Sequence, residues 1–216
     1  MIKLLLWLLR QQKNLLQSRT TFRSLLTKLT SLTSCRTTYT DHGMTLQVFI
    51  TFSRCFSSFC CNFIITGIHG ALYPGAGDIT DERKTLNVDS CVRYWLEAGL
   101  PKEKLVVGIS TVGRTFTLAD PEEFNVGALS TGPGDRGFFS PEVGIMPYNE
   151  ICHTSSSWTF FWEAEQKVPY ALKGDQWVGF DDIDSVAIKL NYILANDLGG
   201  AMFWSLETDD FSKLIN

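Results

Sequence analysis

A chain of 216 residues suits one ordinary domain and falls short of the ~250 typical of a closed eight-stranded β/α barrel. Its 44% hydrophobic and 12% aromatic residues are enough for a sizeable core, and a net charge of -4 excludes the basic footprint of a nucleic-acid binder. That charge is unevenly spread: as far as Gly77 there are eight Lys/Arg and one acidic residue, Asp41, and beyond it eleven Lys/Arg and twenty-two Asp/Glu.

The first segment, residues 1–67, is basic and rich in Ser, Thr, Leu and Phe, and its apolar residues keep neither a helical nor an alternating period for long. Leu4 to Leu9 is shorter than the h-region of a signal peptide and no small-residue cleavage site follows; no apolar run is long enough to span a membrane. Cys35, Cys55, Cys60 and Cys61 match no common zinc or redox spacing, so no metal site is expected. Thr51 to Ile65 uses residue types with pyrimidine-rich codons, which fits translation through a splice-acceptor tract. Residues 1–67 are therefore read as a poorly defined segment, either a mispredicted exon or retained intron, or a buried strand with a cysteine-rich approach.

From Ile68 onward the signals agree. Asp89 is an N-cap candidate ahead of Cys91, Val92, Trp95 and Leu96, which share one helical face, and Gly99 with Pro101 stops a helix of about ten residues. Lys104 to Ser110 is nearly continuously apolar and predicts a fully buried strand. The unit recurs near the C-terminus: Asp184 or Ser185 caps a helix with Val186, Leu190, Ile193 and Leu194 on one side, followed by a buried strand over Gly199 to Trp204. Between the units, about 115–178, lies a stretch too long for an ordinary α/β connection. It reads as an inserted α+β subdomain, with turns at Gly132-Pro-Gly134 and Asp135-Arg-Gly137 and a strand near Trp158 to Trp162.

Five landmarks in series carry a resemblance. Trp95 to Ile109, Gly113-Arg-Thr-Phe-Thr-Leu118, Gln166-Lys-Val-Pro-Tyr170, Gln176 to Asp182 and Leu198 to Leu206 resemble, in order and at fitting intervals, the C-terminal part of glycoside hydrolase family 18, the chitinases and chitinase-like proteins. The resemblance covers Ile68 to Phe211. It implies an α/β fold made of the last strands and helices of a TIM-type barrel, incomplete here, in residues 68–216, with the subdomain inserted between the seventh and eighth strands. It also implies an extracellular setting and chitin or chito-oligosaccharides as partners. Nothing in the sequence supports a cofactor, a metal or a protein partner.

The family's chemistry is substrate-assisted: the sugar acetamide attacks the anomeric carbon while a Glu protonates the leaving oxygen and nearby Asp residues hold the acetamide. The resemblance places these groups in an Asp-Gly-x-Asp-x-Asp-Trp-Glu string, which occurs nowhere in the 216 residues, so no catalytic residue is assigned. Counting back without gaps from His69-Gly70 puts Ile64, Ile65, Thr66 and Gly67 where the family carries Met-Thr-Tyr-Asp. Ser110 and Val112 likewise replace a Pro and a Tyr of the pattern before Arg114.

The binding side is better represented. Trp204 matches a tryptophan that floors a sugar subsite, against the alternative of a core aromatic. Arg114 matches an arginine that hydrogen-bonds sugar or a carboxylate, against a surface salt bridge. Glu142 and Met202 match further cleft positions, against a loop charge and a core thioether. Glu207, Asp209 and Asp210 are read as a structural corner, and Thr131 to Gly137 as a turn without the features of a phosphate loop. The resemblance implies a disulfide partner for Cys152 beyond Asp209-Asp-Phe211; no cysteine follows Cys152, so a thiol is expected. Three readings stay open: a fragment of a chitinase, inactive as written; a catalytically dead chitin binder; or a product whose unpaired strand edges prevent stable folding.

Overall fold

The computed structural model describes residues 35–38, 46–50 and 64–210. At the centre of its first sheet lies β4, Leu105–Ser110. Its neighbours are β11, Gly200–Trp204, and β2, Leu46–Ile50, both parallel to it; β1, Cys35–Thr38, runs antiparallel on the outer edge of β2, giving the order β1-β2-β4-β11. Two helices cover one face: α2, Val88–Glu97, and α4, Ile183–Ala195. Cys91, Val92 and Trp95 from α2, Leu105, Val107 and Ile109 from β4, and Val186, Leu190 and Ile193 from α4 form one buried cluster. Helices on a parallel sheet are the α/β arrangement the sequence predicts.

The helix ends differ from expectation in instructive ways. Asn87 is the N-cap of α2, its side chain accepting from the Ser90 N–H at 2.9 Å. Asp89 lies inside the first turn, where its carboxylate accepts from the Tyr192 hydroxyl at 2.9 Å and pairs with Arg93. In α4 the cap is Asp182, two or three positions before the expected residues, because Asp182 and Ser185 bond reciprocally as a capping box. Leu194 is 54% exposed and off the apolar face; Leu198, beyond the helix, is buried in its stead. Gly199 then passes so close to the turn before β4 that a Cβ would stand 2.4 Å from the Glu103 carbonyl oxygen, and its N–H meets the carbonyls of Lys102 and Leu105.

The strand expected to be buried on both faces is buried on one. Leu105, Val107 and Ile109 face the helices, whereas Val106, Gly108 and Ser110 are half-buried, since no described layer covers that side. Within the segment where sequence periodicity indicates no lasting element, β1 and β2 have strand geometry. The ungapped count that put the strand before β4 at Ile64 to Gly67 is also revised. It is Leu46–Ile50 that lies parallel beside β4, while β3, Ile64–Ile65, pairs antiparallel with a strand of the second sheet.

That second sheet is seven-stranded and antiparallel throughout. Its hub is β5, Val112–Leu118, flanked by β10, Gln176–Gly179, on one side and by β6, Leu129–Pro133, and β7, Ile145–Pro147, on the other. Next to β10 come β9, Val168–Lys173, and the edge strand β8, Thr159–Glu163. The expected turn at Gly132-Pro-Gly134 is instead the end of β6. Pro133 pairs with Phe116, and its missing N–H costs no ladder bond because β3 reaches only Leu129 and Ser130. On one face Phe161, Tyr170 and Trp177 stack at 5.2 and 5.4 Å, and Phe116 meets the fully buried Trp177 edge-on at 5.7 Å. The Trp177 indole N–H donates to the Phe124 carbonyl at 3.0 Å, so the ring is anchored at its polar edge too.

The irregular segment 66–72 stitches the sheets together: the Thr66 N–H donates to the Ala128 carbonyl, that of Leu72 to the Gln166 carbonyl, and the Ala71 and Leu72 carbonyls accept from Val88 and Asp89 at the start of α2. Leu105 is fully buried in the helix-facing cluster, and replacing it with Ala is expected to cost about 2–5 kcal/mol. Urea unfolding of the two proteins checks this; a change below ~1 kcal/mol would mean the cluster does not close as described.

Candidate functional site

The C-terminal ends of β4 and β11 lie side by side, with Ser110 opposite Trp204 and Gly108 opposite Met202. These four therefore share the face turned away from the helices. The main chain after Trp204 is pinned on both sides. Its carbonyl accepts from the Thr111 N–H at 3.0 Å, and the Ser205 carbonyl accepts from the Thr111 hydroxyl at 2.7 Å. The Thr111 and Thr208 hydroxyls are 2.5 Å apart. On this fixed backbone, joined to Ser205 by a cis peptide, Trp204 is 64% exposed. Met202 is half-buried beneath it. Ser110 turns its hydroxyl onto its own chain, accepting from Val112 N–H and donating to Val112 C=O at 3.2 Å.

Arg114 is reached by following the chain from Ser110 into β5, where it lies between Gly179 of β10 and Ile145 of β7 and is half-buried. Gly179 offers no side chain in that register position, where a Cβ would meet Trp177 and Ile68, and Arg114 lies near enough to His69 to act on it electrostatically. Glu142 is exposed in the loop between β6 and β7; its N–H donates to the Ser140 hydroxyl at 3.3 Å and its carboxylate forms no ion pair among the described residues. Trp204 and Met202 thus share β11, Arg114 follows β4 into β5, and Glu142 stands on a separate loop between β6 and β7, the two strands that pair with β5.

Two features escape sequence reading, the setting of Tyr148 and a buried polar group. Tyr148 opens the short helix α3, Tyr148–His153, with its N–H on the Thr111 carbonyl at 2.9 Å, and burial followed by the neighbouring Cys152 pushes its phenol well above the usual range. Cys152 forms no disulfide among the described residues. A buried polar group lies behind Arg114: Asp181 pairs with Lys189 and accepts from the Ser185 hydroxyl at 2.7 Å. Burial raises the Asp181 carboxyl while Lys189 and Ser185 oppose that rise. His69 completes the group, 3% exposed, its Nδ1 without a hydrogen-bond partner. Only the i, i+4 spacing of Ser185 and Lys189 hinted at such a group.

The acidic corner after β11 divides by environment. Glu207 is exposed, with a carboxyl held below its usual range by the Ser205 hydroxyl, whereas Asp209 is buried, its carboxyl raised by that burial even though it accepts from the Asp210 N–H. Among the described residues no three His, Cys, Asp or Glu side chains are placed to hold a metal, and no helix is long and apolar enough to cross a membrane. Chemically, the strand ends offer one exposed indole face, an arginine donor set and a thioether, which is the makeup of a sugar-stacking surface.

Comparison with known proteins identifies the family. The model of "Glycosyl hydrolases family 18" matches residues 47–209, beginning upstream of Ile68. The chain is 42% identical over 149 residues to human chitinase-3-like protein 2, covering 69% of this chain and 38% of that protein. It is 43% identical over 147 residues to mouse chitotriosidase-1, covering 68% and 31% respectively. A solved structure of human YKL-39, described as a pseudo-chitinase with retained chitooligosaccharide binding properties, superimposes with a TM-score of 0.66 at 41% identity over 69% of this chain and 41% of that one. The chain thus spans less than half the length of each of these relatives.

His69 yields a test of the polar group behind Arg114. Burial, then the charges of Arg114 and Lys189, lower its pKa from 6.5 to about 3. The folded state therefore keeps the imidazole neutral while the unfolded chain takes up a proton below 6.5, so this contribution is complete above 6.5 and is lost as pH falls towards about 3. Urea unfolding between pH 7 and 4 should show a slope from this residue of about 1.4 kcal/mol per pH unit that His69→Gln removes. Equal slopes in the two proteins would place His69 in water instead.

Proposed function

Because this chain belongs to glycosyl hydrolases family 18, with the barrel-type fold of that family, we propose that it binds chito-oligosaccharides at the ends of β4, β5 and β11 and does not hydrolyse them. The observation that carries this reading is Trp204: a large apolar ring, 64% exposed, on a backbone fixed by three hydrogen bonds from Thr111 and Thr208. An exposed indole face stacks on a pyranose ring through the sugar's axial C–H groups. Arg114 contributes donors to sugar hydroxyl or acetamide oxygens, Met202 lines the floor beneath the indole, and Glu142 approaches from its loop.

Hydrolysis needs a positioned acid for the leaving oxygen, and the Asp-Gly-x-Asp-x-Asp-Trp-Glu string is absent from the 216 residues. That binding outlasts catalysis in a protein of this kind is supported by the description of human YKL-39. On this reading the chain corresponds to the last strands and helices of an incomplete barrel, and its setting is extracellular, as the family implies. A second reading, that the chain is the C-terminal portion of a hydrolase whose acid lies on other strands, is favoured by its covering only 38% of chitinase-3-like protein 2.

Retention of the full chain on chitin beads and titration with a chito-tetraose test the proposal. Binding without release of shorter sugars is expected, and Trp204→Ala should weaken it by roughly tenfold or more, a loss of about 1.4 kcal/mol. The same substitution should leave unfolding stability within ~0.5 kcal/mol, since the ring is largely outside the core. Retention unaffected by Trp204→Ala, or sugar release by the chain alone, would sink the reading.

A further inference from the structure

The loop between β6 and β7, residues 134–144, holds an aromatic ring in an unusual state. Phe138 is 88% exposed, well above the other large apolar side chains around it, and its partner Phe139, 46% exposed, meets it edge-on at 5.3 Å and reaches His153 at 5.6 Å. A single exposed phenylalanine is ordinarily unremarkable. This one sits on a loop that is fixed at both its base and its middle. At the base, Gly134 donates to the Thr115 carbonyl, Gly144 to that of Gly134, and Thr115 to that of Gly144, at 3.0 to 3.1 Å. At the middle, Glu150 is 4% exposed and uses both carboxylate oxygens on successive main-chain donors, Phe138 N–H at 2.6 Å and Phe139 N–H at 2.9 Å. The approach is so close that a Cβ on Gly137 would stand 2.3 Å from Glu150 Oε2.

A buried carboxylate is expensive unless its oxygens are satisfied, and here the groups that satisfy it are those that aim Phe138 outward. The loop gains rigidity while the ring gains no burial. The same helix that supplies Glu150 begins on the Thr111 carbonyl through Tyr148 N–H, and Asn149 donates to the Glu207 carbonyl at 3.3 Å. The main chains of Phe138, α3, Thr111 and Trp204 therefore belong to one hydrogen-bonded frame that includes the Glu150 carboxylate.

We propose that Phe138 is a second aromatic platform, receiving a pyranose ring further along the same N-acetylglucosamine oligomer whose other unit stacks on Trp204, with Glu150 as the residue that positions it. This deepens the chito-oligosaccharide reading and rests on it. The platform makes affinity depend on oligomer length, because only a chain long enough to reach both rings uses both.

Calorimetric titration of the full chain with chito-oligosaccharides from dimer to hexamer tests this. In the wild type, affinity should rise with length. Phe138→Ala should weaken the hexamer by about three- to tenfold and leave the shortest bound oligomer unchanged, and Phe138→Trp should restore the rise. Glu150→Gln should lose the length dependence as Phe138→Ala does, with binding of the short oligomer kept. If Trp204→Ala abolishes binding but Phe138→Ala matches the wild type at every length, the second platform is wrong and the Trp204 site stands. If the wild type binds no oligomer of any length, both fall together.

Discussion

Five residue pairs, Gly200 to Trp204 against Val106 to Ser110, run parallel and in register between β11 and β4. Side chains alternate across a strand, so a slip of one residue would turn Trp204 and Met202 towards the helices and Ala201 and Phe203 away from them. The register is held from outside the ladder by Gly199, whose N–H reaches the carbonyls of Lys102 and Leu105 in a space that excludes a side chain. At the other end Thr111 takes over, binding the carbonyls of Trp204 and Ser205. With both ends fixed, the apolar face closes on α2 and α4 and the opposite face presents the tryptophan.

The two sheets meet over polar contacts as well as apolar ones. Asp181, immediately after β10, is buried with Lys189 of α4, and Gly70 lies near both. Such a pair adds little net stability over apolar residues, yet removing one member leaves a buried charge, so it fixes how α4 sits against the antiparallel sheet. His69 lies within the field of Lys189 and Arg114 and stays neutral, which keeps a third positive charge out of the group.

Legibility in the sequence followed the locality of each signal. The helix over Val88–Glu97 and the helix-then-strand unit ending in Trp204 were readable because their periodicity lies within a few turns. Their caps were misplaced because Asp89 and Ser185, good capping types, are engaged elsewhere: Asp89 with Tyr192 across the core, Ser185 in a box begun by Asp182. Gly132-Pro-Gly134 has turn composition, yet β5 recruits its first two residues into a ladder. Lys104 to Ser110 looked buried on both faces because apolar content does not say how many layers surround a strand. Of the proposed site, Trp204 and Arg114 match a family pattern, while the link from Glu150 to Phe138 joins a helix to a loop main chain and leaves no pattern in sequence.

The antiparallel sheet between β4 and β11 also bears on how the chain finds its shape. The bond from Thr111 to Ser205 joins residues 94 apart, and closing so long a loop is entropically slow. Pairing of β5 with β10 brings Arg114 beside Gly179 and leaves roughly 30 residues to close in place of 94, which lowers the closure cost by about 1 kcal/mol. The antiparallel sheet, built largely from sequence neighbours, thus shortens the loop that remains to be closed when the parallel pair meets.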